Sequence, residues 1–151
     1  MNRPLTQQVR PEWIDYNGHL SEAYYVLVFG FATDALMEQV GLGASYREQR
    51  ARSLYTVEAH VRYLHEVVGR TDGEPSRLWV TTHVVEAGAK KLRLCHEMWW
   101  GDTRVATEEL LALHVDTAAG RATPFPEEIV ERLTGLVEPE PDYAGRAVGQ
   151  R

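Results

Sequence analysis

The sequence predicts an α+β fold in which an antiparallel sheet curls around one long, buried helix. Three observations lead there. Residues 23–32 read Ala-Tyr-Tyr-Val-Leu-Val-Phe-Gly-Phe-Ala, apolar nearly all the way round a helix, so this segment must be covered on most of its faces. After residue 52 the pattern turns to alternating, strand-like runs punctuated by glycine-rich turns. One helix followed by a run of strands is the order of an α+β domain.

Taken in order, residues 5–12 carry a weak pattern, and Val9, Trp13 and Ile14 point to a first strand running into a turn at Asp15. A helix follows over residues 21–40, started by Ser21-Glu22 and ended by Gly41 and Gly43. Residues 53–67 alternate, with Tyr55, Val57, Ala59, Val61 and Tyr63 expected on one face and Thr56, Glu58, His60 and Arg62 on the other. Residues 70–75, rich in Gly, Asp and Pro, read as a loop. Strands over 77–86 and 91–100 form a hairpin about Ala87-Gly88-Ala89-Lys90, and Gly101-Asp102 turns into a strand over 103–116 closed by Ala118-Ala119-Gly120. Pro126-Glu127-Glu128 with Ile129, Val130 and Leu133 predicts a short helix.

A chain of 151 residues buries about 68–70% of its unfolded surface, which suits one core. The reading is therefore one domain over residues 1–137 and a loose tail over 138–151, where apolar residues thin out. A net charge of −6 with 25% charged residues argues against nucleic acid as the main partner. Cys95 is the only cysteine, so no internal disulfide is possible, and it reads as a small core residue of a strand. The N-terminal residues lack a signal peptide's apolar run and no stretch reaches the length of a membrane span; the expectation is a cytoplasmic protein with no membrane partner.

Chemistry concentrates in residues 11–25, Pro-Glu-Trp-Ile-Asp-Tyr-Asn-Gly-His-Leu-Ser-Glu-Ala-Tyr-Tyr. Asp15 falls at the end of a strand, Asn17-Gly18 tolerates positive φ, and a helix starts just beyond. A carboxylate beside the free amides of a helix start places a base or nucleophile next to a site for an oxyanion. That is a recipe for attack on an acyl group. Asp15 is the catalytic carboxylate of this reading, and the backbone amides of Gly18 and His19 are its oxyanion donors.

This stretch resembles the Asp-x-x-Gly-His signature of the hotdog-fold acyl-CoA thioesterases, the group that includes 4-hydroxybenzoyl-CoA thioesterase. The wider pattern, Trp13 to His19, then Val28-Phe29-Gly30 with Ala32-Thr33-Asp34-Ala35-Leu36, then Tyr55-Thr56-Val57-Glu58-Ala59-His60, looks most like betainyl-CoA thioesterases. The resemblance covers residues 5–135. It implies a sheet wrapped around the helix, hydrolysis of a small acyl-CoA with no cofactor, a homodimer or dimer of dimers, and pathway company with L-carnitine dehydrogenase. Rival readings are a thioesterase for another short-chain or aromatic acyl-CoA and a non-catalytic protein that binds acyl-CoA in the same pocket.

A trimethylammonium acyl group cannot donate hydrogen bonds and is held by aromatic faces and a carboxylate. Trp13, Tyr16 and Tyr55 are the expected cage, with Glu58 as counter-charge and His60 beside it. Arg62, Lys90 and Lys91 are the expected partners of the coenzyme's phosphates. No His-Glu-x-x-His spacing marks a metal site, and no Gly-x-Ser-x-Gly elbow marks a serine hydrolase.

Overall fold

In the computed structural model, which describes residues 3–150, the apolar run becomes helix α1 (Glu22–Val40). Residues 1, 2 and 151 of the expected domain and tail lie outside the described residues. Ser21 is the extended residue before the helix and Gly41, at φ 91°, ends it. Only glycine enters that left-handed region freely, so the stop read from the sequence has a backbone cause. Arg132 reinforces it by donating from Nη1 to the Val40 carbonyl at 2.9 Å.

The sheet has six strands: β1 (Leu5–Gln8), β2 (Arg52–Tyr63), β3 (Arg77–Ala87), β4 (Lys91–Trp100), β5 (Thr103–Asp116) and the short β6 (Arg121–Ala122). Among the described residues all pairings between these strands are antiparallel, in the order β1-β3-β4-β5-β2, with β6 added beside β5. Helix α1 packs on β1, β3 and β4. Its Val28, Phe29 and Ala32 meet Leu78, Val80, Met98 and Ala106, and its Leu36, Met37 and Val40 meet Val84, Leu92, Leu94 and Leu110. Phe29 is fully buried and stacks on His96 at 5.8 Å. Truncating such a side chain to alanine costs about 3–5 kcal/mol.

The first strand stops at Gln8, and Pro11–Trp13 is a turn of 3-10 helix instead of a strand running into Asp15; two further parts of the sequence reading change between residues 40 and 67. Residues 44–50 form a second helix, α2 (Ala44–Arg50), which has no buried residue and hence no apolar period to betray it. It is held locally: the Glu38 carboxylate accepts from the Ala44 amide at 3.0 Å, and Tyr46 Oη bonds His114 Nε2 at 2.8 Å. The second change is in β2, which stops at Tyr63 rather than 67 and carries a bulge at Val57, where Thr56 pairs with Ala112 but Glu58 with Leu111. One extra residue reverses the alternation. Tyr55 therefore shares the outer face with Glu58, His60 and Arg62, while Ala59, Val61 and Tyr63 turn inward toward the helix side.

The third helix, α3 (Glu127–Thr134), buries Ile129 and Leu133 against the α1 end of the core, as read from the sequence. Residues 138–145 are not loose. They lie across the outer face of the sheet: Glu138 takes His83 Nδ1 at 2.6 Å, Glu140 pairs with Arg93, and the Gly145 amide donates to Glu109 Oε2 at 2.7 Å. Tyr143, 4% exposed, covers Val85 and Cys95 and lies beneath Arg104. Burial pushes the Cys95 thiol up to about 12, so it behaves as the core residue expected.

Candidate active site

Residues 14–20 fold back on themselves just before α1. The Asp15 amide donates to the His19 carbonyl at 2.8 Å, the Gly18 amide returns to the Asp15 carbonyl at 3.0 Å, and Ile14 bridges Leu20. Gly18 at φ 78° makes the reversal possible. Leu20 is pinned to the Val67 carbonyl at 2.8 Å and Gly69 to the Gly18 carbonyl at 2.9 Å, so the loop is fixed on both sides.

Within this turn Oδ1 of Asp15 accepts the Asn17 amide at 2.8 Å and the His19 amide at 3.2 Å. Two donors on one oxygen orient the carboxylate and leave the other oxygen for chemistry. They also revise the expected oxyanion site: the amides of Gly18 and His19 are already engaged, one with the Asp15 carbonyl and one with its carboxylate. The amides left at the start of α1 are those of Glu22 and Ala23, which have no carbonyl to bond inside the helix, whereas Tyr24 already bonds the Ser21 carbonyl at 3.0 Å.

Asp15 opens onto a hollow of about 550 Å³ whose other walls include Tyr16, His19, Ser21, Glu22, Tyr25, Tyr63, His65 and Glu66. Among the described residues no lysine or arginine lines it. His19 Nε2 stands 3.3 Å from the Glu66 carboxylate. Tyr25 and Tyr63 meet nearly at right angles, 88° with centroids 5.1 Å apart, and the Tyr63 hydroxyl donates to the Glu22 carbonyl at 3.3 Å. A second hollow of about 470 Å³ lies across Gly18, bordered by Arg10, Ile14, Arg70 and Thr71.

The structure thus gathers Asp15, Tyr16, Asn17, Gly18 and His19 and disperses the rest of the expected set. Trp13 is 4% exposed, stacked on Tyr24 at 5.3 Å, and belongs to the core. Tyr55, Glu58, His60 and Arg62 are on the outer face for the reason given above. Lys90 and Lys91 are at the hairpin that pairs with Leu113, the end of the sheet opposite Tyr63 and Asp15, and Lys91 is tied to Glu86 at 2.8 Å. Tyr63, Tyr25, Glu22 and Glu66 were not expected here. For Tyr63 the available signal was its place at the end of a strand that must run toward the helix start.

Two buried polar groups occupy the inner face beneath α1. His96 Nε2 bonds Thr33 Oγ1 and its Nδ1 bonds Thr82 Oγ1, each at 2.9 Å. Thr33 also donates to the Phe29 carbonyl at 3.3 Å, so it accepts from Nε2–H, and Thr82 supplies the proton to Nδ1. Glu108, 4% exposed, has its carboxylate 4.0 Å from His96 Nε2. Burial pushes Glu108 up to about 7 and His96 down to about 3. Among the described residues no group of histidine, cysteine and carboxylate side chains is arranged to hold a metal. No single helix among them is long and apolar enough to cross a membrane.

A sheet wrapped on one helix, with an oriented carboxylate at that helix's start, defines a hotdog protein equipped for acyl chemistry. Residues 9–133 match the family model of the thioesterase-like superfamily, and the chain belongs to that superfamily. Thioester hydrolysis is the activity this membership carries. The chain is 38% identical over 148 residues to a betainyl-CoA thioesterase of Pseudomonas aeruginosa, covering 93% of this chain and 90% of that protein. It is 42% identical over 141 residues to an L-carnitine dehydrogenase/betainyl-CoA thioesterase of Agrobacterium fabrum, covering 90% of this chain but only 28% of that longer protein. The structure of SAV2348 from Staphylococcus aureus, solved in complex with CoA, superposes with a TM-score of 0.85 at 25% identity, over 98% of this chain and 94% of that one.

Proposed function

We propose that this chain hydrolyses betainyl-CoA to glycine betaine and free coenzyme A, with Asp15 carrying the chemistry and the Glu22 and Ala23 amides receiving the developing oxyanion. The observation that carries the reading is the Asp15 hollow: a carboxylate at a helix start, among tyrosines and further carboxylates, with no lysine or arginine among the described residues on its walls. Such walls repel anionic acyl groups and favour a cationic one. The named relative in Pseudomonas aeruginosa points the same way. Either a mixed anhydride on Asp15, expelling the thiolate, or attack by water deprotonated at Asp15 fits an oriented carboxylate. Arg10 and Arg70 border the second hollow beside Gly18, on the Asp15 side of the molecule, and are better placed for the coenzyme's phosphates than Lys90 and Lys91, Arg70 having first to part from Asp72.

The test is thiol release across a panel of acyl-CoA esters. Betainyl-CoA is expected to give the highest kcat/KM, with acetyl-CoA and benzoyl-CoA below it. Preference for a neutral short or aromatic ester would move the assignment to that substrate. Tight acyl-CoA binding with no release from any ester would make the chain a carrier or sensor.

The working unit of this proposal is a homodimer. Strand β2 is a twelve-residue edge with exposed Tyr55 and Val57, and α1 exposes Val26 and Leu27. A long unpaired edge beside an apolar helix stripe is what a second copy covers. Leu27→Lys is accordingly expected to convert the protein to a monomer with at least tenfold lower activity. On a protein that works alone, a substitution at a residue 41% exposed would shift stability by no more than about 0.5 kcal/mol. Light scattering that finds a fully active monomer in the parent protein would contradict the dimer.

A further inference from the structure

We infer that Tyr63, squared against Tyr25 and accompanied by the Glu22 carboxylate, is the element that reads the quaternary ammonium of the acyl group. This rests on the proposed hydrolysis of a betaine thioester and names the residues that select it. In that substrate a single methylene separates the nitrogen from the carbonyl carbon. The cation must therefore be received in the same hollow as Asp15, which excludes Tyr55 and Glu58 of the same subunit, turned to the outer face, and Trp13, packed in the core.

What the hollow offers is specific. Tyr63 is half exposed, at 47%, and presents ring surface to the cavity, while Tyr25 is buried and stands at 88° to it. Two rings at right angles form a corner, and a corner of π faces is a receptor for a cation without hydrogen-bond donors. The hydroxyl of Tyr63 is anchored to the Glu22 carbonyl at 3.3 Å, which fixes the ring against the first turn of α1, beside the amides assigned to the oxyanion. Burial first, and then the Glu22 and Glu108 carboxylates, disfavour ionisation of that phenol, and Glu22 lines the same hollow, so negative charge borders the corner. Tyr16, 97% exposed, lines the same hollow.

The arrangement separates two tasks within one small volume. Asp15 acts on the carbonyl, whatever the acyl group; the tyrosine corner and Glu22 discriminate the nitrogen cation from its carbon isostere. The measurement is the ratio of kcat/KM for betainyl-CoA to that for 3,3-dimethylbutyryl-CoA, which replaces nitrogen by carbon at nearly constant shape. Reading the ratio within each variant cancels general losses of activity or assembly. The parent protein is expected to favour betainyl-CoA, Tyr63→Leu to lower the ratio about five- to twentyfold, Glu22→Gln to lower it by about threefold or more, and Tyr63→Phe, which keeps the ring, to retain most of it. An unchanged ratio in both Tyr63→Leu and Glu22→Gln, with selectivity intact in the parent, overturns the assignment of these residues and leaves the betaine reading standing. A ratio near one in the parent itself overturns the betaine reading, and with it this inference. Glu22 is exposed, so Glu22→Gln folds even if Tyr63→Leu does not.

Discussion

Asp15→Asn is expected to reduce turnover by roughly a hundredfold or more while leaving the fold intact. Asparagine can still place an oxygen where Oδ1 accepts the Asn17 and His19 amides, so the turn and the start of α1 persist. What disappears is the negative charge, and with it both routes to the acyl carbon: an amide neither forms a mixed anhydride at useful rates nor takes a proton from water. Thiol release measured beside circular dichroism separates the two effects. Near-normal turnover in a folded variant would remove Asp15 from the chemistry, and a collapsed spectrum would make its role in the turn the dominant one.

The second large effect is expected in stability against pH. Burial raises Glu108 from the ordinary 4.5 to about 7, so between those values the folded protein keeps a proton that the unfolded chain has released. Stability then falls as pH rises, by about 1.4 kcal/mol per unit. Burial lowers His96 from 6.5 to about 3, so over that span the unfolded chain binds a proton that the fold refuses, and stability falls as pH falls. From about pH 4.5 to 6.5 the two slopes oppose each other. Glu108→Gln removes one of them. Relative to the parent, this variant is expected to gain stability steadily as pH rises from about 4.5 to 7, reaching about 3 kcal/mol. Other titrating groups are common to both proteins and drop out of the difference, so denaturant curves at several pH values suffice. A difference independent of pH would mean that Glu108 is ionised in the fold.

Local chemistry was legible in the sequence, and long-range geometry was not. Helix α1, its stop at Gly41, the hairpins and the Asp15 turn all depend on residues within a few positions of one another. The expected cage is dispersed within one subunit because it depends on phase: nothing in Tyr55-Thr56-Val57-Glu58 announces a bulge, yet that one residue sends Tyr55 outward and Tyr63 inward. Trp13 lies in the core because its place is decided by Tyr24, eleven residues later, on a helix whose direction only the tertiary fold sets. The amides nearest in sequence, expected as oxyanion donors, are engaged by Asp15 itself, Gly18 with its carbonyl and His19 with its carboxylate. Glu108 could have been noticed, since Ala106, Glu108, Leu110 and Ala112 form an inward series at period two with one carboxylate in it.

The segment after α3 has a bearing on how copies of this molecule can be stacked. With Tyr143 seated over Cys95 and Glu138 and Glu140 holding His83 and Arg93, the middle of the sheet's convex side is occupied from within the chain. Two such molecules brought convex side to convex side would meet strap against strap, with a row of carboxylates on each. An assembly that used the convex side would first have to peel the strap away. Its two ion pairs, Glu138 with His83 and Glu140 with Arg93, are the part of its grip that salt and acid would loosen.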